Sequence, residues 1–475
     1  MDRKSGVLMH ISTLWGEYSC GSFGKSAMEF VDFLADCGFT YWQVLPFCPA
    51  DDYNSPYKSY STFAGNPYFI DLEQLFDEGL ILSEELDAAK QNTPYLCEFE
   101  RLETERLALL FKAAQRVENK NEIEKFIAEN SYISDFCEFM ALKTANDQKP
   151  WWEWNCDKTD DAVLFGWKFV EFKFFEQWSI VKEYANKKGI KIIGDIPFYV
   201  ALDSSDVWKN ADRFMIDEKN VPYAVAGVPP DYFCEDGQLW GNPLYNWEAM
   251  KENDYKWWCD RMSAMLKMFD GVRIDHFRAM ESFWAVPYGE ETARGGKWVK
   301  GPGMELISRI KDLAKDKMII AEDLGDITDA VNALVEESGF PGMRVFQFGF
   351  LGEESTHKPH NYKNNCVAYS GTHDNNTLLG YLWELSDELR REMLEYCGYC
   401  DIDWNKGFDS ILRTLWQSAA GLVIVPVQDL LGYGADTRLN TPGKADGNWK
   451  FRITREQLGG IDKEKFRRLN CLYYR

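Results

Sequence analysis

The chain has 475 residues, a hydrophobic fraction of 45% and a formal net charge of −23 at pH 7. That length suffices for roughly two to four domains, or for one large barrel with insertions. A polyanionic partner needs clustered Lys and Arg, and the sequence has no basic run of that kind, so we exclude nucleic acid. No apolar run approaches the about 20 residues of a membrane helix, and no secretory signal is visible, so we expect a cytoplasmic protein that does not bind membranes. The 12 scattered cysteines are expected to be reduced thiols.

Eight short apolar runs predict strands that end in polar residues. In chain order they are Val7–Leu14, Tyr41–Leu45, Ile190–Ile196, Gly271–Asp275, Met318–Asp323, Met343–Phe348, Cys366–Ser370 and Leu422–Val427. Between many of them lie helical patterns, for example Lys25–Cys37 and Phe165–Lys188, in which apolar residues recur every three or four positions. This alternation predicts parallel βαβ units, and eight strands are the number that a closed barrel requires. The predicted fold class is therefore α/β, a single (β/α)8 TIM barrel over residues 1–475.

Three segments are too long or too irregular for ordinary crossovers between barrel strands. Residues 71–165 are charged and helix-forming, which predicts a mainly helical insertion. Residues 200–258 are rich in Pro, Gly and aromatic side chains, which predicts an insertion with more loop than helix. A short third insertion is predicted at residues 281–303. We expect all three to leave the C-terminal face of the barrel, where insertions shape active sites.

Three of the predicted strands lead directly into carboxylates. Asp275 ends one strand, Glu322 ends another, and Asp374 follows a third. The C-terminal ends of barrel strands meet at one face, so the three acids are candidate catalytic groups. Arg273 lies two residues before Asp275, on the same side of its strand, and is expected to lower the pKa of that acid.

Glycoside cleavage requires this kind of carboxylate cluster. One carboxylate attacks or stabilises the anomeric carbon, and a second, protonated carboxyl group gives its proton to the departing oxygen. Crowding separates the two pKa values, so that one acid stays protonated while the other is ionised. An acid after a strand can equally cap a helix. We interpret Asp323 as such a supporting acid, and Asp195 as either an inward barrel acid or a structural hydrogen-bond acceptor.

Aromatic residues make up 15% of the chain, which indicates either a generous core or flat platforms for the apolar faces of sugar rings. Two other patterns are weaker. Cys397 and Cys400 have the spacing of a redox motif, and His357 and His360 could pair as metal ligands. Neither has a second half at the spacing of a metal site, so we predict no cofactor and no metal.

The segments around the three acids resemble the conserved regions of the α-amylase clan. More closely, the chain is similar almost from end to end to the 4-α-glucanotransferases, also called amylomaltases or disproportionating enzymes. The similar segments are Gly6–His10, Phe30–Pro46, Asn54–Tyr68, Gly194–Pro197, Asp203–Trp208, Gly227–Phe233, Gln238–Tyr245, Arg438–Gly443 and Gly447–Trp449. Residues 80–145 match only loosely.

This resemblance implies retaining transfer of a segment of an α-1,4-glucan to the 4-hydroxyl of another glucan or of glucose, through a covalent glycosyl-Asp intermediate. It implies that Asp275 is the nucleophile, Glu322 the general acid/base and Asp374 the acid that stabilises the transition state. The resemblance also implies substrate-binding residues, which are Tyr57, Asp203, Trp240, Asn242, Arg273 and His373. The substrates would be maltooligosaccharides, and starch or glycogen are further possibilities. Two alternatives stay open: a hydrolase of the α-amylase type with the same acids, and a non-catalytic glucan-binding barrel.

Overall fold

Eight parallel strands close into a barrel in the computed structural model, which describes residues 1–50, 53–230, 235–352, 355–401, 403–444 and 446–475. The strands of the barrel are β1 (Lys4–Leu8), β2 (Tyr41–Gln43), β3 (Lys191–Ile196), β6 (Gly271–Ile274), β9 (Met318–Ala321), β10 (Gly342–Val345), β11 (Cys366–Tyr369) and β12 (Leu422–Pro426). Each strand lies beside the next in this order, and β12 pairs with β1 to complete the circle. The predicted TIM barrel is therefore confirmed.

Each predicted strand overlaps one barrel strand, although some predicted bounds begin or end too late. The prediction Val7–Leu14 overruns β1, which ends at Leu8 opposite Gln43 of β2. Beyond that point the chain forms a short 3-10 helix, Ile11–Thr13, whose three residues are buried. Apolar residues continue past the strand because the loops at the barrel mouth are themselves packed, so hydrophobicity alone does not mark the end of pairing.

Nineteen α-helices lie within the described residues. They are α1 (Lys25–Asp36), α2 (Leu72–Asp77), α3 (Ser83–Ala88), α4 (Phe99–Arg101), α5 (Leu107–Gln115), α6 (Asn121–Glu129), α7 (Ser131–Ala145), α8 (Asp161–Lys187), α9 (Ser205–Lys209), α10 (Trp247–Glu252), α11 (Lys256–Met268), α12 (Met304–Ala314), α13 (Asp329–Ser338), α14 (Leu378–Glu384), α15 (Asp387–Tyr396), α16 (Trp404–Gln417), α17 (Val427–Leu431), α18 (Arg455–Gly459) and α19 (Lys463–Leu472). Within the described ranges, every helix is too short or too polar to span a lipid bilayer.

The segment between β2 and β3 is mainly helical and contains α2 to α8. Helix α8 has 27 residues. Asp160 caps its N-terminus, and the Asp160 side chain accepts hydrogen bonds from two backbone N–H groups of the first turn. Along its length α8 packs against α5, α6 and α7, and also against α1 and β3 of the barrel. One long helix thus joins the helical segment to the barrel wall.

Four further strands form a separate antiparallel sheet in the order β5–β4–β7–β8. They are β4 (Ala224–Val228), β5 (Gln238–Pro243), β7 (Ser282–Pro287) and β8 (Lys297–Lys300). This sheet joins the segments that follow β3 and β6, and its β5 carries Trp240 and Asn242. In the predicted motif Gly227–Phe233, Asp231, Tyr232 and Phe233 lie outside the described residues.

Candidate active site

Apolar layers inside the barrel give way to charged side chains at its C-terminal mouth. Ile193 and Ile320 belong to a buried cluster within the barrel. Side chains two positions apart on a strand lie on the same side, so Asp195 and Glu322 follow these isoleucines on the inward side. Because inward and outward side chains alternate along a strand, these acids lie on the inner side of the barrel at its C-terminal mouth.

Arg273 is the centre of a hydrogen-bonded group at this rim. Its Nη1 donates to both carboxylate oxygens of Asp195, at 2.9 and 2.8 Å, and its Nη2 donates to Oδ1 of Asp275 at 2.8 Å. The hydroxyl of Tyr57 donates to Oδ2 of Asp195 at 2.6 Å. Asp195 has a fully buried side chain, whereas 30% of the Asp275 side chain is exposed. Asp195 is therefore an inward acid that orients Arg273 and Tyr57, which combines the two interpretations of the sequence.

Glu322 is held against the backbone that carries Asp275. Its Oε2 accepts a hydrogen bond from the backbone N–H of His276 at 2.7 Å, and its Oε1 accepts one from Leu324 at 2.8 Å. The backbone N–H of Glu322 in turn donates to Ile274 at 3.1 Å. These bonds on both sides of Asp275 position the two acids next to each other.

The electrostatics separate the two acids. Burial and the negative charge of Asp275 raise the pKa of the Glu322 carboxyl group to about 8. Burial also raises the pKa of Asp275, and the Arg273 guanidinium opposes that rise. Arg273 thus has the expected effect of lowering the pKa of Asp275, but the desolvation of the carboxylate outweighs it and the net shift is upward. Of the two acids, Asp275 has the cationic partner and Glu322 faces the anion, so Glu322 is the one that retains a proton.

Asp374 has the opposite electrostatic character. Burial raises its pKa, but the neighbouring His373 and a hydrogen bond from Asn440 lower the pKa to about 2. His373 Nε2 lies 3.2 Å from Oδ2 of Asp374, and the Asn440 amide donates to Oδ1 at 2.6 Å. This acid is thus an anion over a wide pH range.

Asp275 and Asp374 face a cleft of about 620 Å³ at the barrel mouth. Six of the predicted site residues line it, namely Tyr57, Trp240, Asn242, Asp275, His373 and Asp374. Of the other predicted residues, Arg273 and Glu322 are buried, with 4% and 8% of their surface exposed, and hydrogen-bond to Asp275 and to the His276 backbone, which line the cleft. Asp203 lies in an adjoining cavity of about 300 Å³.

Aromatic rings form part of the cleft wall. Tyr57 stacks on the His373 ring, with 4.9 Å between centroids and an interplanar angle of 15°. Trp240 meets His276 edge to face at 4.8 Å. Flat rings beside carboxylates are typical of sugar-binding clefts, since the apolar face of a pyranose packs on a π-face.

Two residues of the cleft were missed as candidate site residues. His276 has a left-handed backbone, with φ of 49°, and lines the cleft. Its Nε2 is buried and has no hydrogen-bond partner in the described structure. Asn440 reaches Asp374 from a loop 66 positions further along the chain. Adjacency to Asp275 is a signal for His276 in the sequence, whereas Asn440 is marked only by its place in the family-like segment Arg438–Gly443.

Asp323 supports the barrel. It accepts a hydrogen bond from the Met343 backbone at 2.6 Å and one from Arg344 at 2.9 Å, and its side chain is 3% exposed. Strands β9 and β10 pair only at Gly342 and Ala321 among the described residues. The Asp323 side chain thus continues a short ladder, and a Cβ at Gly342 would lie 2.4 Å from its carboxylate.

The two histidines that were considered as a pair of metal ligands have other hydrogen-bond partners. His357 Nδ1 accepts from the Val345 backbone at 3.0 Å, and His360 Nδ1 lies 2.9 Å from the Tyr396 hydroxyl. Among the described residues, no group of three potential ligands is arranged to hold a metal ion.

Comparison with known proteins identifies the family. Residues 9–457 match the family described as 4-alpha-glucanotransferase. The chain is 41% identical to the 4-alpha-glucanotransferase of Clostridium butyricum, over 98% of this chain and 100% of that protein. It is 40% identical to the Aquifex aeolicus 4-alpha-glucanotransferase, over 100% and 99% of the two chains. A solved structure, an amylomaltase from Streptococcus agalactiae in complex with acarbose, superposes with a TM-score of 0.95 at 37% identity over the whole of both chains. The chain therefore belongs to the 4-alpha-glucanotransferase family.

Proposed function

We propose that this 4-alpha-glucanotransferase works by retaining transfer through a covalent intermediate on Asp275. The carboxylate of Asp275 attacks the anomeric carbon of an α-1,4-glucan as the bond to the glycosidic oxygen breaks. Glu322 gives its proton to that oxygen, and the shortened glucan leaves as an alcohol. A β-glycosyl ester on Asp275 remains.

The second half of the reaction restores the enzyme. Glu322, now ionised, takes the proton from the 4-hydroxyl of a second glucan or of glucose. That oxygen attacks the anomeric carbon, the ester bond to Asp275 breaks, and the α configuration returns. Asp374 stabilises the positive charge that develops on the sugar in both transition states.

The observation that carries this proposal is the attachment of Glu322 to the backbone next to Asp275. Glu322 accepts from the His276 N–H, and Asp275 accepts from Arg273. One acid is therefore set to hold a proton beside another that is paired with a cation, as the two roles require. Asp374, with a pKa of about 2, has the permanent charge that an oxocarbenium-like state needs.

The substrate-binding roles follow from position. We propose that Tyr57 and Trp240 pack against sugar rings and that Asn242 and His373 hydrogen-bond to hydroxyl groups in the cleft. Arg273 is proposed to act at the reacting sugar, since it holds Asp275. Asp203 is proposed to bind the glucan farther from the cleaved bond, in the adjoining cavity.

We also propose that residues 1–475 form one catalytic domain, with residues 71–165, 200–258 and 281–303 as insertions around the cleft. Trp240, from the second of these, lines the cleft. A cytoplasmic location is proposed because the cysteines of the described residues are free thiols.

Incubation of the pure protein with maltotriose alone tests the reaction. Transfer gives glucose and a ladder of longer glucans, which chromatography resolves. Glucose and maltose without longer products would instead indicate a hydrolase of the α-amylase type, and no product would indicate a non-catalytic glucan-binding barrel.

The intermediate can be tested in a Glu322→Gln variant. Maltotriosyl fluoride needs no proton for its leaving group, so the first step proceeds, whereas the second step lacks its base. Mass spectrometry of the intact protein is expected to find one maltotriosyl group attached, and none in Asp275→Asn. An adduct in Asp275→Asn would refute the assignment of the nucleophile.

A further inference from the structure

The cleft continues into a second cavity beside the helical segment. This cavity, of about 300 Å³, is near the lower end of the about 300–1,000 Å³ range of ligand pockets. Four residues line both spaces, namely Tyr53, Lys58, Trp240 and Asn242. The shared residues place the two spaces side by side at Trp240, and none of the three acids lines the second space.

Trp152 lines the second cavity and does not line the cleft. It lies on a short 3-10 helix, Trp151–Glu153, in the segment that joins α7 to α8. The residue is 39% exposed, and its ring contacts that of Trp151 edge to face at 5.9 Å. A large indole ring that stays open to a cavity provides the flat apolar surface on which a sugar ring packs.

Asp203 is held beside this indole by the same segment. Lys143 of α7 donates from Nζ to Oδ2 of Asp203, and the Trp151 backbone N–H donates to Oδ1 at 3.2 Å. The Lys143 side chain is 3% exposed, whereas 23% of the Asp203 side chain is exposed. A buried ammonium group requires a partner, so this ion pair ties the helical segment to the loop after β3. The Asp203 carboxylate keeps a fixed position with part of its surface turned to the cavity.

We propose that Trp152 and Asp203 form a distal subsite for a glucosyl unit far from the cleaved bond, with Lys143 as a positioning residue for Asp203. This inference rests on the proposed function of the cleft. The indole packs against one face of the sugar, and the carboxylate accepts hydrogen bonds from its hydroxyl groups. Only glucans long enough to pass Trp240 reach this subsite, so it gives the enzyme a preference for longer chains.

The dependence of KM on chain length tests the subsite. In Trp152→Ala, we expect KM for maltoheptaose to rise about fivefold, the effect of losing one aromatic contact. KM for maltotriose and kcat for both substrates are expected to stay unchanged. Trp152→Phe keeps a ring and is expected to restore most of the KM. Trp383→Ala is the matched control, because Trp383 of α14 is 65% exposed and lies outside both cavities.

Binding in the absence of turnover separates this inference from the proposed function. In an Asp275→Asn background, calorimetry with maltoheptaose is expected to give about fivefold weaker binding when Trp152 is replaced by Ala. Asp203→Asn, which keeps the size of the side chain, is also expected to weaken the binding of maltoheptaose. Equal losses for both glucans, or no loss for maltoheptaose, would overturn the subsite. Absence of a transfer ladder from the wild-type protein would overturn the proposed function instead.

Discussion

Two buried glutamates have a similarly raised pKa but differ in the charged and hydrogen-bonding groups around them. Burial raises the pKa of both Glu322, at the barrel mouth, and Glu171, on α8, to about 8. Glu322 also faces the charge of Asp275 and accepts two backbone hydrogen bonds. Glu171 accepts one, from Gly65 at 2.9 Å, and its other oxygen has no partner in the described structure.

The comparison shows that a raised pKa marks desolvation and does not by itself mark catalysis. At the barrel mouth the protonated acid lies beside an arginine-paired carboxylate and an open cleft. Under the loop of Gly65 the protonated acid is enclosed, with no surface exposed. The second carboxylate and the cleft distinguish the candidate active site from a structural acid.

Replacing one acid in each region is expected to give the largest difference in activity. In Asp275→Asn, we expect maltotriose turnover to fall by on the order of 10⁴-fold, because the nucleophile is lost. Glu171→Gln is expected to retain wild-type turnover. Glucose release measures both, and circular dichroism shows whether each variant is folded. Comparable activity losses in two folded variants would contradict the distinction.

The pH profile sharpens the comparison. Glu322 must be protonated to act as the acid, so kcat/KM is expected to fall about tenfold per pH unit once the pH rises above about 8. The residual activity of Glu322→Gln should lack this alkaline decline, whereas Glu171→Gln should keep it. Persistence of the decline in Glu322→Gln would assign it to another group.

The smallest expected effect concerns the stability of the helical segment. The pKa of Glu171 is about 8 in the folded protein, against an ordinary value of 4.5. As the pH rises, the unfolded chain therefore loses this proton at a lower pH than the folded protein does. Stability is therefore lost as the pH rises from about 4.5 to about 8. Gln has no proton to lose, so the decrease in Tm between pH 5 and pH 8 should be about 2 °C smaller in Glu171→Gln.

An exposed glutamate serves as the control for this measurement. Glu129 is at the end of α6 and its side chain is 64% exposed. Glu129→Gln is expected to follow the wild-type dependence of Tm on pH. A Glu171→Gln variant with the same dependence would show that Glu171 is already ionised in the folded protein.

The barrel and the three acids were predictable because they depend on local patterns. Each barrel strand is an apolar run, and Asp275 and Glu322 follow such runs directly. The antiparallel sheet was not predicted. Strands β4 and β5 contain Gly, β5 also contains Asn and Pro, and β4 pairs with β7 about 60 residues away, so no local pattern marks the sheet.

Other parts of the site depend on contacts between distant positions. Asp195 bonds to Arg273 across 78 positions, and Asn440 bonds to Asp374 across 66. The pKa of Asp275 depends on how far the mouth is desolvated, which no sequence pattern measures. The sequence therefore predicted which acids lie at the barrel mouth, but not the balance of burial and charge that sets their pKa values.

The left-handed turn at His276 has a consequence for how this enzyme tolerates change. The peptide N–H of that residue, and not a flexible side chain, sets where Glu322 lies relative to Asp275. The relative position of these two candidate catalytic acids is thus set by the main chain of the neighbouring strands β6 and β9. Substitutions of side chains that line the cleft therefore leave this main-chain contact between Glu322 and the turn after Asp275 in place.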